Sequence, residues 1–341
     1  MQNRTRSTQS DPSAHAFTRR EFTGMMLAGA AGLALPGRLG ASPWRQDTYF
    51  TWQEVAPGVR AAIGGGGNVL LVASGGEALV SDAKNLGLGH TLRREAEAFG
   101  TPVTVAVNTH HHGDHIGGNV AFAGDLPLIA NPNAQRRVRE QAEAIAGQTN
   151  DRISQTIDRM SQEGVDPRVI DDLIEEARSI ERASAEDLTP NETFETEREV
   201  RVGDRTVLLR HVGAGHTDND VFLHLPEVNV IHTGDLLFVG RHGFMDQNGG
   251  VDSEGWQRSL RAMIDLCDAD TVVVSGHGEI VGRAGLERQY EYFDQLRAAV
   301  ETAVSEGRSK DEVEALQPDS LADISGSPAR NLGVVYDEVT G

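Results

Sequence analysis

The sequence has a single cysteine, Cys267, in its 341 residues, so no disulfide can close within the chain. Nor is Cys267 placed as a metal ligand. In SLRAMIDLCDADTVVV it ends an amphipathic stretch, where a small apolar group is buried. Lysine is almost missing: of 31 basic residues only Lys84 and Lys310 are lysine, and 51 acidic residues leave a net charge of −20. A surface of that sign repels phosphate backbones, which argues against nucleic acid as partner or substrate. Long apolar runs are also lacking. The run MMLAGAAGLAL is too short to cross a bilayer, so no stable membrane span is expected in the mature chain. The length allows one large domain or two small ones, with ample chain to bury a core.

What is present is concentrated in residues 104–120, TVAVNTHHHGDHIGGNV. An apolar, β-branched run ends at Asn108 and gives way at once to His110, His112, Asp114 and His115, in the pattern His-x-His-x-Asp-His. A strand that stops where imidazoles and a carboxylate begin puts those side chains at a sheet edge, where several can converge. Neutral imidazole and carboxylate are the ligands that borderline metals such as zinc prefer.

Taken in order, the chain opens with a polar stretch and then Thr18-Arg19-Arg20-Glu21-Phe22 before the short apolar run and Gly40-Ala41-Ser42. Residues 1–41 resemble a twin-arginine export signal, which implies a periplasmic or otherwise exported protein. Short apolar runs at 59–63, 68–73 and 77–81 read as strands, split by Gly64 to Gly67 and by Ser74-Gly75-Gly76. The four-glycine run precedes a strand and not a helix, so it reads as a turn passing close to the site and not as a phosphate loop. A helix near 87–99 and a strand at 103–108 give the β-α-β rhythm of a layered α/β sheet. Residues 131–186 carry helical spacing, broken at Gly164 and Pro167, and read as an insertion lying over one side of the site. Strands return at 199–202 and 205–212, joined by a tight turn at Gly203-Asp204. Then come Gly215-His216-Thr217, the strands VFLHL and NVIHT running into Gly234-Asp235, a helix near 253–266, and the strand TVVV ending at Ser275-Gly276-His277-Gly278. Twice more an apolar strand stops at a metal-ligand type beside glycine. Helices near 284–306 and 309–315 follow, and residues 316–341 read as a C-terminal tail whose apolar NLGVVY is a candidate for a packed terminal strand or helix.

His-x-His-x-Asp-His, Gly-His-Thr, Thr-Gly-Asp and Gly-His-Gly, in this order and after strands, resemble the metallo-β-lactamase superfamily over roughly residues 50–300. The resemblance implies an α/β fold, an αβ/βα four-layer sandwich, with one hydrolase domain over 42–315. It implies two zinc ions, or iron or manganese in their place. The first would be held by His110, His112 and His216, and the second by Asp114, His115 and His277, with Asp235 bridging them. The implied activity is hydrolysis of a small carbonyl substrate (an ester, lactone, thioester or β-lactam) by a hydroxide that the two ions share, with Asp114 as the catalytic residue that orients it. An aspartate in TGDLLF is similar to the glyoxalase II type and not to the lactamases with cysteine at this position.

Among the remaining residues, Asp82 ends a strand and is expected behind the His-rich loop as a support. His242, in GRHGFMDQNGG, is a candidate for the substrate pocket. His111 is expected to point away from the ligands, and His211, His224 and His232 to be packed in or beside strands. Two other functions compete: a single-iron sulfur dioxygenase of the same superfamily, and a noncatalytic metal-binding accessory protein. Metal content separates the first from hydrolysis, and an Asp114→Ala variant tests the second.

Overall fold

In this computed structural model the described residues are 48–122, 124 and 126–341, so the export signal expected at 1–41 lies outside them. The first half runs β1 (Thr51–Ala56), β2 (Val59–Ile63), β3 (Val69–Ser74), β4 (Glu77–Ser81), α1 (Gly89–Glu97), β5 (Val103–Val107), α2 (Gly113–Ile116) and β6 (Leu128–Ala130). The insertion follows as α3 (Pro132–Gln162), α4 (Pro167–Arg182) and α5 (Ala185–Leu188), then β7 (Glu192–Thr193). The second half contains β8 (Glu197–Val202), β9 (Arg205–Arg210), β10 (Phe222–Leu225), β11 (Val230–His232), α6 (Ser253–Leu266), β12 (Val272–Val274), α7 (Arg283–Ser305), α8 (Lys310–Glu314) and α9 (Ala329–Thr340). Strands β1 to β7 form one sheet in sequence order, antiparallel up to β4 and parallel from β4 on. The other sheet has the order β12-β11-β10-β9-β8 and is antiparallel except for the β11–β12 pair.

Alternation along the strands sets the layers. Leu70, Val72 and Leu79 of the first sheet share a buried cluster with Val207, Leu209, Leu223 and Leu225 of the second. Their sequence neighbours Val69, Leu71 and Val80 face the other way and cluster with Leu92 of α1 and Leu173 of α4. On the far side, Phe222, Ile231 and Val273 pack with Trp256 and Leu260 of α6 and with Leu286, Phe293 and Leu296 of α7. Period-2 side chains with apolar groups on both faces require cover on both. The result is the expected αβ/βα sandwich, in which each fully buried Val, Leu or Phe contributes about 1.5–3 kcal/mol.

The helical insertion breaks where the sequence says it should. Asn131 and Asp166 cap α3 and α4 with proline in the first turn of each, and Gly164 between them has φ 70°. The buried Glu176 of α4 accepts from Gly87 N at 2.6 Å and His90 N at 2.9 Å, which latches the insertion onto the loop before α1. Near the start of α3, Arg137 forks onto both oxygens of Asp218 at 2.9 and 2.7 Å.

In the C-terminal segment 316–341, helix α9 buries Leu332, Val334 and Val335 in the cluster formed by α6 and α7, because NLGVV presents its apolar side chains to a hydrophobic face. Among the described residues no helix is long and apolar enough to cross a membrane.

Candidate metal centre

Each ligand type found in the sequence sits just past the C-terminal end of a strand or in a loop at the same edge of the sandwich. His110 and His112 follow β5, and Asp114 and His115 lie in α2. Asp235 follows β11, His277 follows β12, and His216 lies in the connection from β9 to β10. Asn68 ties the two sheets together at this edge: its Nδ2 donates to the carbonyls of Ser275 at 2.9 Å and Gly278 at 3.0 Å. The glycines beside the ligands give the side chains room. A Cβ on Gly276 would lie 2.1 Å from Asp235 Oδ1, and one on Gly67 would lie 2.1 Å from the His115 ring. The four-glycine turn therefore passes against the site, as expected, with Gly67 N donating to the Asp114 carbonyl at 3.1 Å.

Two groups of ligand atoms meet here. His112 Nδ1 lies 3.1 Å from His110 Nε2 and 2.9 Å from His216 Nε2, so three imidazole nitrogens converge on one position. Beside them, His277 Nε2 lies 3.1 Å from Asp114 Oδ2, and His115 Nε2 lies 3.8 Å from the same oxygen. Asp235 reaches both groups. Its Oδ2 is 3.5 Å from His216 Nε2, 3.8 Å from His110 Nε2 and 3.4 Å from His277 Nε2, and its Oδ1 is 3.1 Å from His115 Nε2. His115 Nε2 and Asp235 Oδ1 are buried without a hydrogen-bond partner. Buried polar atoms are ordinarily paired, and donors left open in an all-His/Asp set fit metal ions. The residues present fit the binding of metal ions.

The electrostatics of the two sides differ. Burial, with His115 and His112 nearby, holds His110 well below the usual imidazole range; burial and His112 take His216 down to about 3. These imidazoles are neutral, the form that binds metal. Burial also works against a charge on His115 and His277, but the Asp235 carboxylate and its neighbours win, raising His115 well above its usual range and His277 to about 9. Asp235, for its part, is depressed because His277 and His115 outweigh its burial.

Supporting contacts lie behind the ligands. Asp82 accepts from His115 Nδ1 at 2.8 Å, from Thr109 N at 2.8 Å and from Thr109 Oγ1 at 2.9 Å, the role expected for it beneath the His-rich loop. Thr109 Oγ1 is also 3.0 Å from His110 Nδ1. Asp220 accepts from Thr217 N at 2.8 Å and Thr217 Oγ1 at 2.6 Å, closing the turn that presents His216, and burial pushes its carboxyl up to about 8. Phe238 stacks on His277, with ring centroids 5.2 Å apart, and Trp256 meets His216 edge-on at 5.1 Å, giving the site an apolar wall.

All seven residues named as ligands come together. His111 meets Asn219 Nδ2 at 3.0 Å and stays off the ligand positions. His232 bonds Ser81 Oγ at 2.9 Å, and His211 bonds the Asp220 carbonyl at 2.8 Å. His242, a candidate for the substrate pocket, hydrogen-bonds Tyr292 Oη of α7 at 3.1 Å and lies beside Gly326. The residue missed is Asp246, whose Oδ2 lies 2.9 Å from His112 Nε2. Nothing in GRHGFMDQNGG marks it, because its place depends on how that loop folds.

A family model described as the metallo-beta-lactamase superfamily matches residues 62–277. The structure is similar to a metallo-beta-lactamase from Pontibacter korlensis, with 16% identity and a TM-score of 0.52 over 72% of this chain and 99% of that one. It is similar to the DIM-1 metallo-beta-lactamase, with 16% identity and a TM-score of 0.50 over 72% of this chain and 97% of that one. It is also similar to the stereoselective inverting sec-alkylsulfatase Pisa1 from Pseudomonas sp., with 16% identity and a TM-score of 0.63 over 86% of this chain and 50% of that one. At these identities the likeness is one of fold. No curated protein matches the chain by sequence.

Proposed function

Because the chain belongs to the metallo-β-lactamase superfamily, we propose that it is a dinuclear zinc hydrolase acting on a small carbonyl substrate: an ester, lactone, thioester or β-lactam. The observation that carries this reading is the Asp235 carboxylate, placed within 3.8 Å of imidazoles from both ligand groups. A carboxylate so shared is placed to serve two ions, although the group His110, His112, His216 and Asp235 could by itself hold one. His110, His112 and His216 would hold one ion and Asp114, His115 and His277 the other, with Asp235 between them. Zinc bound there lowers the pKa of water toward neutrality and polarises a carbonyl oxygen.

The chain's own groups do the rest. Burial would raise Asp114, but His115 and His277 overcome it and keep this carboxylate ionised. Its side chain is 26% exposed where Asp235 is 4% exposed, so Asp114 faces the solvent side. It is the group placed to accept a hydrogen bond from the attacking water and to take its proton. Phe238 and Trp256 keep bulk water from the other side and strengthen the charges within.

Purified mature protein is expected to carry about two zinc per chain and to turn over at least one member of a panel of lactones, esters, thioesters and β-lactams. Secondary alkyl sulfates belong in that panel because of the Pisa1 likeness. About one iron per chain with persulfide oxidation would replace hydrolysis by the dioxygenase reading. Asp114→Ala should lower the rate by about 10²–10⁴-fold, and unchanged turnover would remove its catalytic role. Export through the twin-arginine route is part of the proposal, supported by Arg19-Arg20 before a short apolar run. Replacing both arginines with lysine should leave the protein in the cytoplasm.

A further inference from the structure

Resting on the two-zinc reading, we propose that Asp246 is the positioning residue for His112, holding its ring so that Nδ1 faces the first ligand group and the proton stays on Nε2. Of the three imidazoles in that group, His112 alone turns Nδ1 inward; His110 and His216 both present Nε2. A ring that binds through Nδ1 must carry its hydrogen on Nε2, and an ionised carboxylate can only accept. Asp246 Oδ2, 2.9 Å from that Nε2, selects this tautomer and aims the ring with one contact.

His112 needs such a hold more than its partners do. Its side chain is 18% exposed, against 1% for His110 and 0% for His216, so packing confines it less than its partners. Elsewhere in the centre His110 rests on Thr109 and His115 on Asp82, and Asp246 supplies the missing third support. The backbone that carries the carboxylate is itself held. Val251 N donates to the Asp246 carbonyl at 3.0 Å, and the Asp246 carboxylate lies against Gly249, where an added Cβ would come within 2.2 Å of Oδ2 and push it aside. Asn331 of α9 donates to the Gly243 carbonyl at 2.7 Å, and Gln247 donates to Asp337 of α9 at 3.0 Å, fastening the loop on either side of Asp246. His111 Nε2 is 3.8 Å from the same oxygen, beyond hydrogen-bond reach, so His112 is the residue served.

The test uses the mature full-length chain and its Asp246→Ala and Asp246→Asn variants, with Asn248→Ala, an exposed change in the same loop, as control. Zinc affinities are read by competition with a chromophoric chelator, the ligand field by cobalt absorption, and folding by denaturant melts of the metal-free protein. One of the two zinc ions should bind about 10–100-fold more weakly in Asp246→Ala, and by less in Asp246→Asn, whose amide oxygen can still accept from Nε2, with an altered cobalt spectrum in the alanine variant, the other ion unchanged and the control like wild type. Wild-type affinities and cobalt bands in folded Asp246→Ala would overturn the proposal. So would the loss of a third equivalent of zinc, since Asp246 would then be a ligand. Should the alanine variant fail to fold, Asp246→Leu, near the same shape but with no acceptor, takes its place under the same outcomes. If wild type binds fewer than two zinc ions, the dinuclear reading fails and this inference with it, a result visible before any variant is made.

Discussion

Asp82 receives the Nδ1 hydrogen of His115 at 2.8 Å, and it does so from a left-handed backbone conformation, φ 71°. A non-glycine residue in that region is uncommon, and the three hydrogen bonds that Asp82 accepts account for its staying there. Asp82→Ala leaves the Thr109 donors and His115 Nδ1 buried and unpaired, at about 1–3 kcal/mol for each unpaired group. We expect a fall of several kcal/mol in a urea melt, about the sum over the three groups. A midpoint equal to wild type would contradict this role.

Zinc uptake should depend on pH differently on the two sides of the centre. The buried imidazoles of His110 and His216 are depressed and offer free lone pairs at pH 7, whereas His277 is raised to about 9 by Asp235 and Asp114 and must give up a proton. Affinity for the second ion should rise as pH increases from 6 to 9, with proton release detectable by calorimetry in two buffers of different ionisation enthalpy. The first ion should show little of this dependence. In the metal-free protein the sign reverses: the raised His277 contributes stability in full below about pH 6.5, and that contribution is lost as pH climbs through about 9.

Lys84 is one of two lysines in the chain and is wholly buried, donating to the carbonyls of Ala62 and Gly67, both at 2.7 Å. Burial drives it down to about 7 although Asp82 and Asp114 pull it up. Lys84→Met has a similar volume but strands two carbonyls, one of them on the turn that presses against His115. A loss of about 2–5 kcal/mol is expected from a urea melt, and zinc affinity on the His115 side should weaken with it. Unchanged stability would mean that the two carbonyls find other donors.

Much of this was legible in the sequence because the ligands follow strands. A β-branched run that ends at histidine or aspartate beside glycine fixes both an element and the direction of its exit, and that holds at Asn108, His232 and Val274. The sandwich was legible from apolar runs such as VLLVAS, which read as strands buried on both faces. Three features were not. Asp246 acts across 134 positions through a loop without periodicity. His242 turned to Tyr292 because the 240–251 loop is fastened to α9, a contact no local pattern announces. Helix α9 is hard to tell from a terminal strand because only four apolar residues in NLGVVY break a run of Pro, Gly and Ser. Those residues carry signal only once the face they cover is known.

Two of the glycines beside the ligands should tolerate substitution very differently. Gly276→Ala would set a methyl 2.1 Å from Asp235 Oδ1 and 2.5 Å from the Gly234 carbonyl, backbone that cannot swing aside. Gly113→Ala, between His112 and Asp114, meets nothing within 4 Å. Metal analysis should find the first variant depleted of zinc and the second close to wild type. Equal metal content in both would mean that Asp235 has room to move.

Diffraction at the zinc absorption edge from metal-loaded crystals addresses the central claim most directly. The account predicts two anomalous peaks, one among His110, His112 and His216 and the other among Asp114, His115 and His277, each about 2.0–2.2 Å from an oxygen of Asp235. A single peak, or two peaks of which only one touches Asp235, would contradict it.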